Sequence, residues 1–164
     1  MNKHQTNSPA SASALDFSAF SQGLYIDGEW RGASGGASVN VTDPSTEEVI
    51  ATVPDATVDD AISAVEAAAA AAEGWRSTPP RKRSEILRRC FELMIERQDM
   101  LARLISIENG KALRDARGEV AYAAEFFRWN AEEAVRITGE FGTAPSGTNR
   151  IIVDYQPIGI CVLI

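Results

Sequence analysis

The chain has 164 residues, 45% of them hydrophobic and 24% charged, which is the balance of an ordinary globular domain with a sizeable core. Its net charge of −7 and its pI near 4.8 argue against nucleic acid or an anionic membrane as a partner. No stretch approaches the roughly 20 apolar residues that span a bilayer, so we expect no membrane partner. The two cysteines, Cys90 and Cys161, are far apart and have no metal-ligand spacing around them. They favour free thiols in a reducing compartment, and we expect a cytoplasmic protein.

Residues 1–22 are predicted to form a flexible tail. They are rich in Ser, Ala and Asn and contain His4, the single histidine of the chain. Polar residues interrupt the apolar positions, so the segment lacks the continuous apolar core of a secretory signal. It also contains no arginine, which argues against a mitochondrial presequence.

Three short β segments are predicted next. The first starts at Leu24 and passes through Asp27-Gly28, a hairpin turn signal, into Glu29-Trp30. The second covers residues 38–41 and stops before Asp43-Pro44, and the third covers residues 48–53 and stops at Pro54.

The first of four predicted helices starts at Thr57, which forms a capping box with Asp60, and ends at Gly74. Its apolar residues share one face: Val58, Ile62, Val65, Ala69 and Ala72. The second helix starts at Pro79-Pro80 and runs to about Glu96. A third helix follows and ends at Asn109-Gly110, where we expect a left-handed cap.

The fourth helix is predicted over residues 112–137 and carries two apolar stripes. The main stripe consists of Val120, Ala124, Phe127, Ala131, Ala134 and Ile137. The second stripe, Tyr122, Phe126 and Trp129, points elsewhere on the helix. Two stripes indicate that this helix contacts more than one layer, or that it lines a pocket as well as a core.

The last two predicted elements are strands. Residues 149–156 alternate and predict a half-exposed strand. After Pro157 the residues up to Ile164 are all apolar or Gly, which predicts a strand buried on both faces, as in a parallel sheet covered by helices. The chain is therefore assigned to the α/β class, in the order β-β-β-α-α-α-α-β-β. Because the final strand lacks partners, we expect the chain to be the front of a longer protein.

Taken one at a time, the usual catalytic constellations are absent from the sequence. No glycine-rich loop opens a helix with the spacing of a phosphate-binding fingerprint. A cysteine nucleophile needs a base within reach, and the only histidine lies in the tail. Cys90 falls on an apolar helix face and Cys161 in the predicted buried strand, so both are predicted to be core thiols. No catalytic or metal-ligating residue is assigned.

Taken together, several segments resemble the aldehyde dehydrogenase family. Residues 24–30 resemble its opening strand, and Glu108-Asn109-Gly110-Lys111 resembles its Glu-x-Gly-Lys helix end. Residues 43–47, Asp-Pro-Ser-Thr-Glu, are similar to its Asn-Pro-x-Thr-Gly-Glu turn, with departures at Asp43 and Glu47. Residues 157–159 resemble the segment before its Pro-Trp-Asn signature. Within the family, residues 126–134 and 147–159 most resemble the succinate-semialdehyde dehydrogenases, with other aldehyde or betaine-aldehyde dehydrogenases as the alternative.

The resemblance implies an NAD(P)-dependent oxidation of a small aldehyde to its acid. A cysteine would attack the carbonyl, an asparagine would help to hold the oxyanion, and a glutamate would activate water. None of these residues matches a position in this chain, and neither Cys90 nor Cys161 fits the cysteine motif, so the chain alone is expected to be inactive and to bind NAD or NADP poorly. The resemblance also implies that Tyr122, Phe126 and Trp129 line the substrate channel, although they could equally be ordinary core residues, and that Ile164 is the one position near the cofactor.

The resemblance further implies that residues 23–164 form an incomplete N-terminal portion of the Rossmann-like cofactor-binding domain. Part of the β elements would belong to the family's oligomerisation domain, and the complete protein would be a dimer or tetramer. The competing hypothesis is a non-catalytic module that docks on a partner or on a full-length homologue through its exposed strand.

Overall fold

The computed structural model describes residues 20 and 22–163, so the predicted tail lies almost wholly outside the described residues, as does Ile164. Ten elements follow in chain order: β1 (Leu24–Ile26), β2 (Glu29–Arg31), β3 (Ser38–Thr42), β4 (Val49–Pro54), α1 (Val58–Ser77), α2 (Pro80–Glu96), α3 (Gln98–Asn109), α4 (Leu113–Glu133), β5 (Glu140–Thr143) and β6 (Arg150–Val153). This is a mixed α/β chain with four helices and small sheets, which confirms the predicted class. None of the described helices is long and apolar enough to cross a membrane.

The strands form three separate antiparallel hairpins, β1–β2, β3–β4 and β5–β6. The turn predicted at Asp27-Gly28 is confirmed, since both residues have positive φ, 54° and 81°. This conformation matches the twist of a two-residue hairpin. It brings Tyr25 opposite Trp30 with their ring centroids 5.0 Å apart. The first predicted segment is therefore two strands.

Helix α1 begins as predicted but ends later. The Thr57 hydroxyl accepts a hydrogen bond from the Asp60 amide at 3.2 Å, and the Asp60 carboxylate accepts one from the Thr57 amide at 2.9 Å, which completes the capping box. The predicted end at Gly74 is wrong, because the helix continues to Ser77. A glycine weakens a helix without ending it. The end comes at Thr78, whose extended backbone is the one favoured before a proline.

Helices α2, α3 and α4 pack around a core of small side chains. Ala102 of α3 and Ala116 of α4 are fully buried, and Val120 of α4 is nearly so. Further along α4, Ala124 and Ala131 are buried as well, as is Ala134 just after its end. Alanines at a helix contact let the backbones approach closely. Between α3 and α4, Gly110 adopts φ 73°, which confirms the predicted left-handed cap.

The end of α4 and the strand after it differ from the prediction. The helix stops at Glu133 rather than at residue 137, and the chain turns there with the Arg136 amide donating to the Glu133 carbonyl at 2.8 Å. Ile137 is consequently exposed. Residues 140–143, interrupted by Gly142, form β5 and pair with β6, a strand that the sequence pattern did not indicate. Its partner β6 is shorter than the predicted span of 149–156.

The prediction of a buried strand after Pro157 is wrong for the described residues. Residues 154–163 have no regular secondary structure, and Ile158 and Leu163 are each 93% exposed. A strand needs neighbours for its amide and carbonyl groups and for its side chains. No strand of the described chain pairs with this segment. In the described chain, residues 157–163 therefore have no strand partner and stay exposed.

Candidate functional site

The candidate site is an exposed aromatic face on α4, made by Tyr122, Phe126 and Trp129. Four and three positions separate these residues, so they lie on one side of the helix. The rings of Tyr122 and Phe126 meet edge to face, with centroids 5.0 Å apart and planes at 80°. This is a favoured geometry for aromatic pairs. The sequence prediction that the three share a face is thus confirmed.

The aromatic face points away from the packed face of α4. Tyr122, Phe126 and Trp129 are 67%, 54% and 66% exposed, whereas Ala124, between the first two, is fully buried. Two positions along a helix correspond to about 200° around its axis. Within the described chain these three side chains are not buried, and the alternative that they are core residues of the whole protein stays open beside the channel assignment. Their assignment to a substrate channel stays a prediction.

Charged and polar side chains beside the aromatic face make contacts within α4 and with α2. Glu125 and Arg128 form an ion pair at 2.7 Å, and the Arg128 guanidinium also lies 5.5 Å from the centroid of the Phe91 ring on α2. The Asn130 side chain donates to the Phe126 carbonyl at 2.8 Å. The aromatic face itself offers ring surface and one phenol, so it can bind an aliphatic or aromatic group by packing. It supplies neither a nucleophile nor a carboxylate-binding cation.

The two cysteines do not form a catalytic centre. Cys90 is half-buried on α2, close to the predicted environment, whereas Cys161 is exposed. The prediction of a core thiol is wrong for Cys161 because the strand that would bury it is not formed in the described chain. Across residues 20 and 22–163 there is no histidine to act as a base for either thiol.

Neither a metal nor a dinucleotide has an evident site in the described part of the chain. No three metal-binding side chains among these residues could together hold a metal ion. The residues that precede the four helices are Thr57, Pro79, Arg97 and Ala112, and no glycine-rich loop leads into any of them. Ile164, the predicted cofactor contact, lies outside the described residues.

A second polar cluster joins the loop after β2 to the start of α1. The buried Asp60 carboxylate accepts hydrogen bonds from the Ser34 amide at 3.1 Å, the Ser34 hydroxyl at 3.1 Å and the Thr57 amide at 2.9 Å. Arg31 lies 3.9 Å away, at the limit of an ion pair. The hydrogen bond from the Thr57 amide lowers the pKa of Asp60 to about 2, although burial of the carboxylate acts in the opposite direction. These bonds occupy the carboxylate and give it a structural role.

Sequence reasoning identified half of this cluster. The capping pair of Thr57 and Asp60 follows from a three-residue spacing. The contact with Ser34 joins residues 26 positions apart and has no local signal beyond a Gly/Ser-rich loop. The cluster closes this loop over the first turn of α1.

Solved structures with the same arrangement of elements are dehydrogenases. The succinate-semialdehyde dehydrogenase from Burkholderia pseudomallei superimposes with a TM-score of 0.83 at 43% identity, over 91% of this chain and 31% of that one. The fold is therefore one found in part of such a dehydrogenase. Residues 30–164 match the model of the aldehyde dehydrogenase family. The chain belongs to this family, as its motifs indicated.

Two curated relatives narrow the comparison. The glutarate-semialdehyde dehydrogenase of Pseudomonas putida is 48% identical over 149 residues, which are 91% of this chain and 31% of that protein. The NADP(+) succinate-semialdehyde dehydrogenase of Escherichia coli is 41% identical over 149 residues, with the same coverage. The chain thus spans about a third of the length of the relatives that it matches.

Proposed function

We propose that this chain forms the N-terminal part of an NAD(P)-dependent dehydrogenase that oxidises a dicarboxylic semialdehyde to the dicarboxylate, with succinate semialdehyde as the first choice and glutarate semialdehyde as the second. The observation that carries the proposal is the identity of 41–48% to semialdehyde dehydrogenases over 149 residues. A betaine or other aldehyde is the alternative within the family. When bound, the cofactor would accept the hydride, and it could be either NAD or NADP.

In this proposal the chain contributes one wall of the substrate channel. Tyr122, Phe126 and Trp129 present three exposed rings on one side of α4, the first two in edge-to-face contact, and such a surface suits the methylene groups of a short semialdehyde. The described residues supply no nucleophile for the aldehyde, so the 164-residue chain alone is expected to be inactive. The groups that bind the substrate carboxylate and perform the chemistry belong to the two thirds of the relatives that this chain does not match.

The remaining assignments follow from the same proposal. Residues 23–164 are assigned to an incomplete N-terminal portion of a Rossmann-like cofactor-binding domain, and Ile164 is assigned as the position near the cofactor. The first strands and the segment 149–156 serve oligomerisation, with a dimer or tetramer expected for the whole cytoplasmic enzyme.

The test is a chimera in which this chain replaces the matched segment of the P. putida enzyme. Formation of reduced nicotinamide would be measured with succinate semialdehyde, glutarate semialdehyde and betaine aldehyde, each with NAD and with NADP. Because the carboxylate-binding and catalytic groups of the chimera come from the P. putida enzyme, the test is whether the wall contributed by this chain is compatible with a semialdehyde. We expect the chimera to retain the semialdehyde preference of the parent enzyme and the 164-residue chain alone to show no turnover. Loss of semialdehyde turnover with betaine aldehyde turnover retained, or turnover by the chain alone, would contradict the proposal.

Two matched substitutions test the channel wall within the chimera. Tyr122→Ala removes a ring from the aromatic face, and Tyr25→Ala removes an equally exposed ring on β1. We expect Tyr122→Ala to lower kcat/KM roughly tenfold, since small apolar contacts discriminate substrates by about this much. Tyr25→Ala should change it less than about twofold. Equal effects would rule out a channel role for Tyr122.

A further inference from the structure

Helix α1 exposes a line of apolar side chains along one side, although hydrogen bonds fix its first turn. Val58, Ile62 and Val65 are 76%, 50% and 42% exposed, and Ala69 and Ala72 continue the same line. We call these five residues the α1 seam. No described element covers it.

The spacing of the α1 seam is that of a helix-packing surface. Its residues are four, three, four and three positions apart, the alternation found where one helix packs along another. The bulky residues occupy the first half and alanines the second, so a partner helix could approach closely at the C-terminal half. The α1 seam therefore suits packing against another helix.

The side of α1 that packs within this chain is a different one. Asp60 is buried, and Ser63 and Ala67 are half-buried. Asp60 lies two positions from Val58 and Ala67 two positions from Val65, about 200° around the helix from the seam. The capping box and the bonds from Ser34 to Asp60 fix the start of α1. The seam is therefore presented on a preformed helix, which lowers the entropy cost of docking.

The length of the relatives indicates what covers the seam. The matched segment makes up 31% of the P. putida enzyme, so a polypeptide about twice as long as the matched part folds beside it there. We propose that the α1 seam is a docking face for a helix from this C-terminal two thirds, and that the 164-residue chain binds such a polypeptide in trans. The choice of partner rests on the proposed function.

Co-expression of the 164-residue chain with the P. putida enzyme lacking its matched segment tests this proposal. We expect the two polypeptides to co-purify as a defined complex. The double variant Ile62→Asp/Val65→Asp should weaken the complex at least about tenfold, because it places two charges in an apolar contact. Ala70→Asp puts a charge on the exposed surface of the same helix, about 140° around from Val65, and should leave affinity within about twofold.

The outcomes separate the two proposals. A wild-type complex that fails to oxidise semialdehydes but is weakened by the double variant supports docking and contradicts the proposed substrate. The absence of a complex, or equal effects of the double variant and Ala70→Asp, overturns the docking proposal. If the double variant does not fold, the test is hydrogen exchange of the wild-type chain, compared between the free chain and the complex. Amides of residues 58–72 should become more protected in the complex, and unchanged protection would overturn the proposal.

Discussion

The small core between α3 and α4 predicts that deleting two methyl groups at Val120 costs much more than the same deletion at Val58. Val120 is 3% exposed and contacts the buried cluster of Ala102 and Ala116, whereas Val58 lies mostly in water. Val120 lies in the interior of α4 and Val58 at the first position of α1, so the gain in helix propensity on Val→Ala is larger at Val120 and opposes the cost of lost burial there. A larger loss of stability at Val120 therefore reports burial.

The expected cost at Val120 follows from its burial. Two buried methyl groups contribute about 0.8 kcal/mol each. A residual cavity adds up to about 1 kcal/mol, and the better helix propensity of alanine returns about 0.5 kcal/mol. The free energy of unfolding should therefore fall by about 2 kcal/mol for Val120→Ala. For Val58→Ala the change should stay within about 0.5 kcal/mol.

Urea unfolding of the 164-residue chain, followed by far-UV circular dichroism, measures both variants. With an m-value near 2 kcal/mol/M, the midpoint of Val120→Ala should drop by about 1 M at unchanged slope. Equal midpoint shifts for the two variants would refute the packing described for α4. A shift at Val120 under about 0.2 M would do so as well.

Three further predictions concern backbone geometry and charge. Gly139→Ala should abolish hydrogen-exchange protection in β5, because its Cβ would clash with the Val153 carbonyl oxygen at the end of β6; protection at the wild-type level would contradict the hairpin register. Gly110→Ala should destabilise the chain by about 1–2 kcal/mol, since φ is 73° there. Gly118→Ala, in open space within α4, should stabilise it by up to about 1 kcal/mol, and opposite signs in urea unfolding are the criterion. Hydrogen bonding from Thr57 holds the pKa of Asp60 at about 2 in the folded chain, below its ordinary 3.8. The ionised carboxylate therefore stabilises the fold above about pH 4, this stability is lost as the pH falls from about 4 to about 2, and Asp60→Asn should flatten the stability profile in that window.

The elements predicted correctly from the sequence depend on residues close together along the chain. The Asp27-Gly28 turn, the start of α1 at Thr57 and the cap at Gly110 each require only three or four positions. The shared face of Tyr122 and its neighbours follows from helical periodicity in the same way. Local geometry determines these features, and they appear as expected.

The incorrect predictions concern features that depend on distant partners. The run after Pro157 has the composition of a buried strand, but a strand forms only beside another, and none pairs with it here. Strand β5 contains Gly142, a residue type that is disfavoured in strands, so only its pairing with β6 identifies it. The exposure of the aromatic face on α4 could not be read from its spacing either, since burial depends on what packs against a helix.

The distribution of large and small side chains links the stability of this chain to the proposed partner. Among the described residues no large side chain is fully buried, and the core of α2–α4 relies mainly on alanines. Alanines allow close helix contact but bury little apolar area, so the larger hydrophobic contribution is realised only when the α1 seam and the run at 157–163 are covered. A partner at a hundred times its Kd would add about 2.7 kcal/mol, which exceeds the loss expected for Val120→Ala. That variant should therefore lose helix content more readily than the wild type when alone, and regain it in the complex with the C-terminal two thirds of the P. putida enzyme. If circular dichroism of the variant is unchanged by complex formation, folding and docking are not coupled.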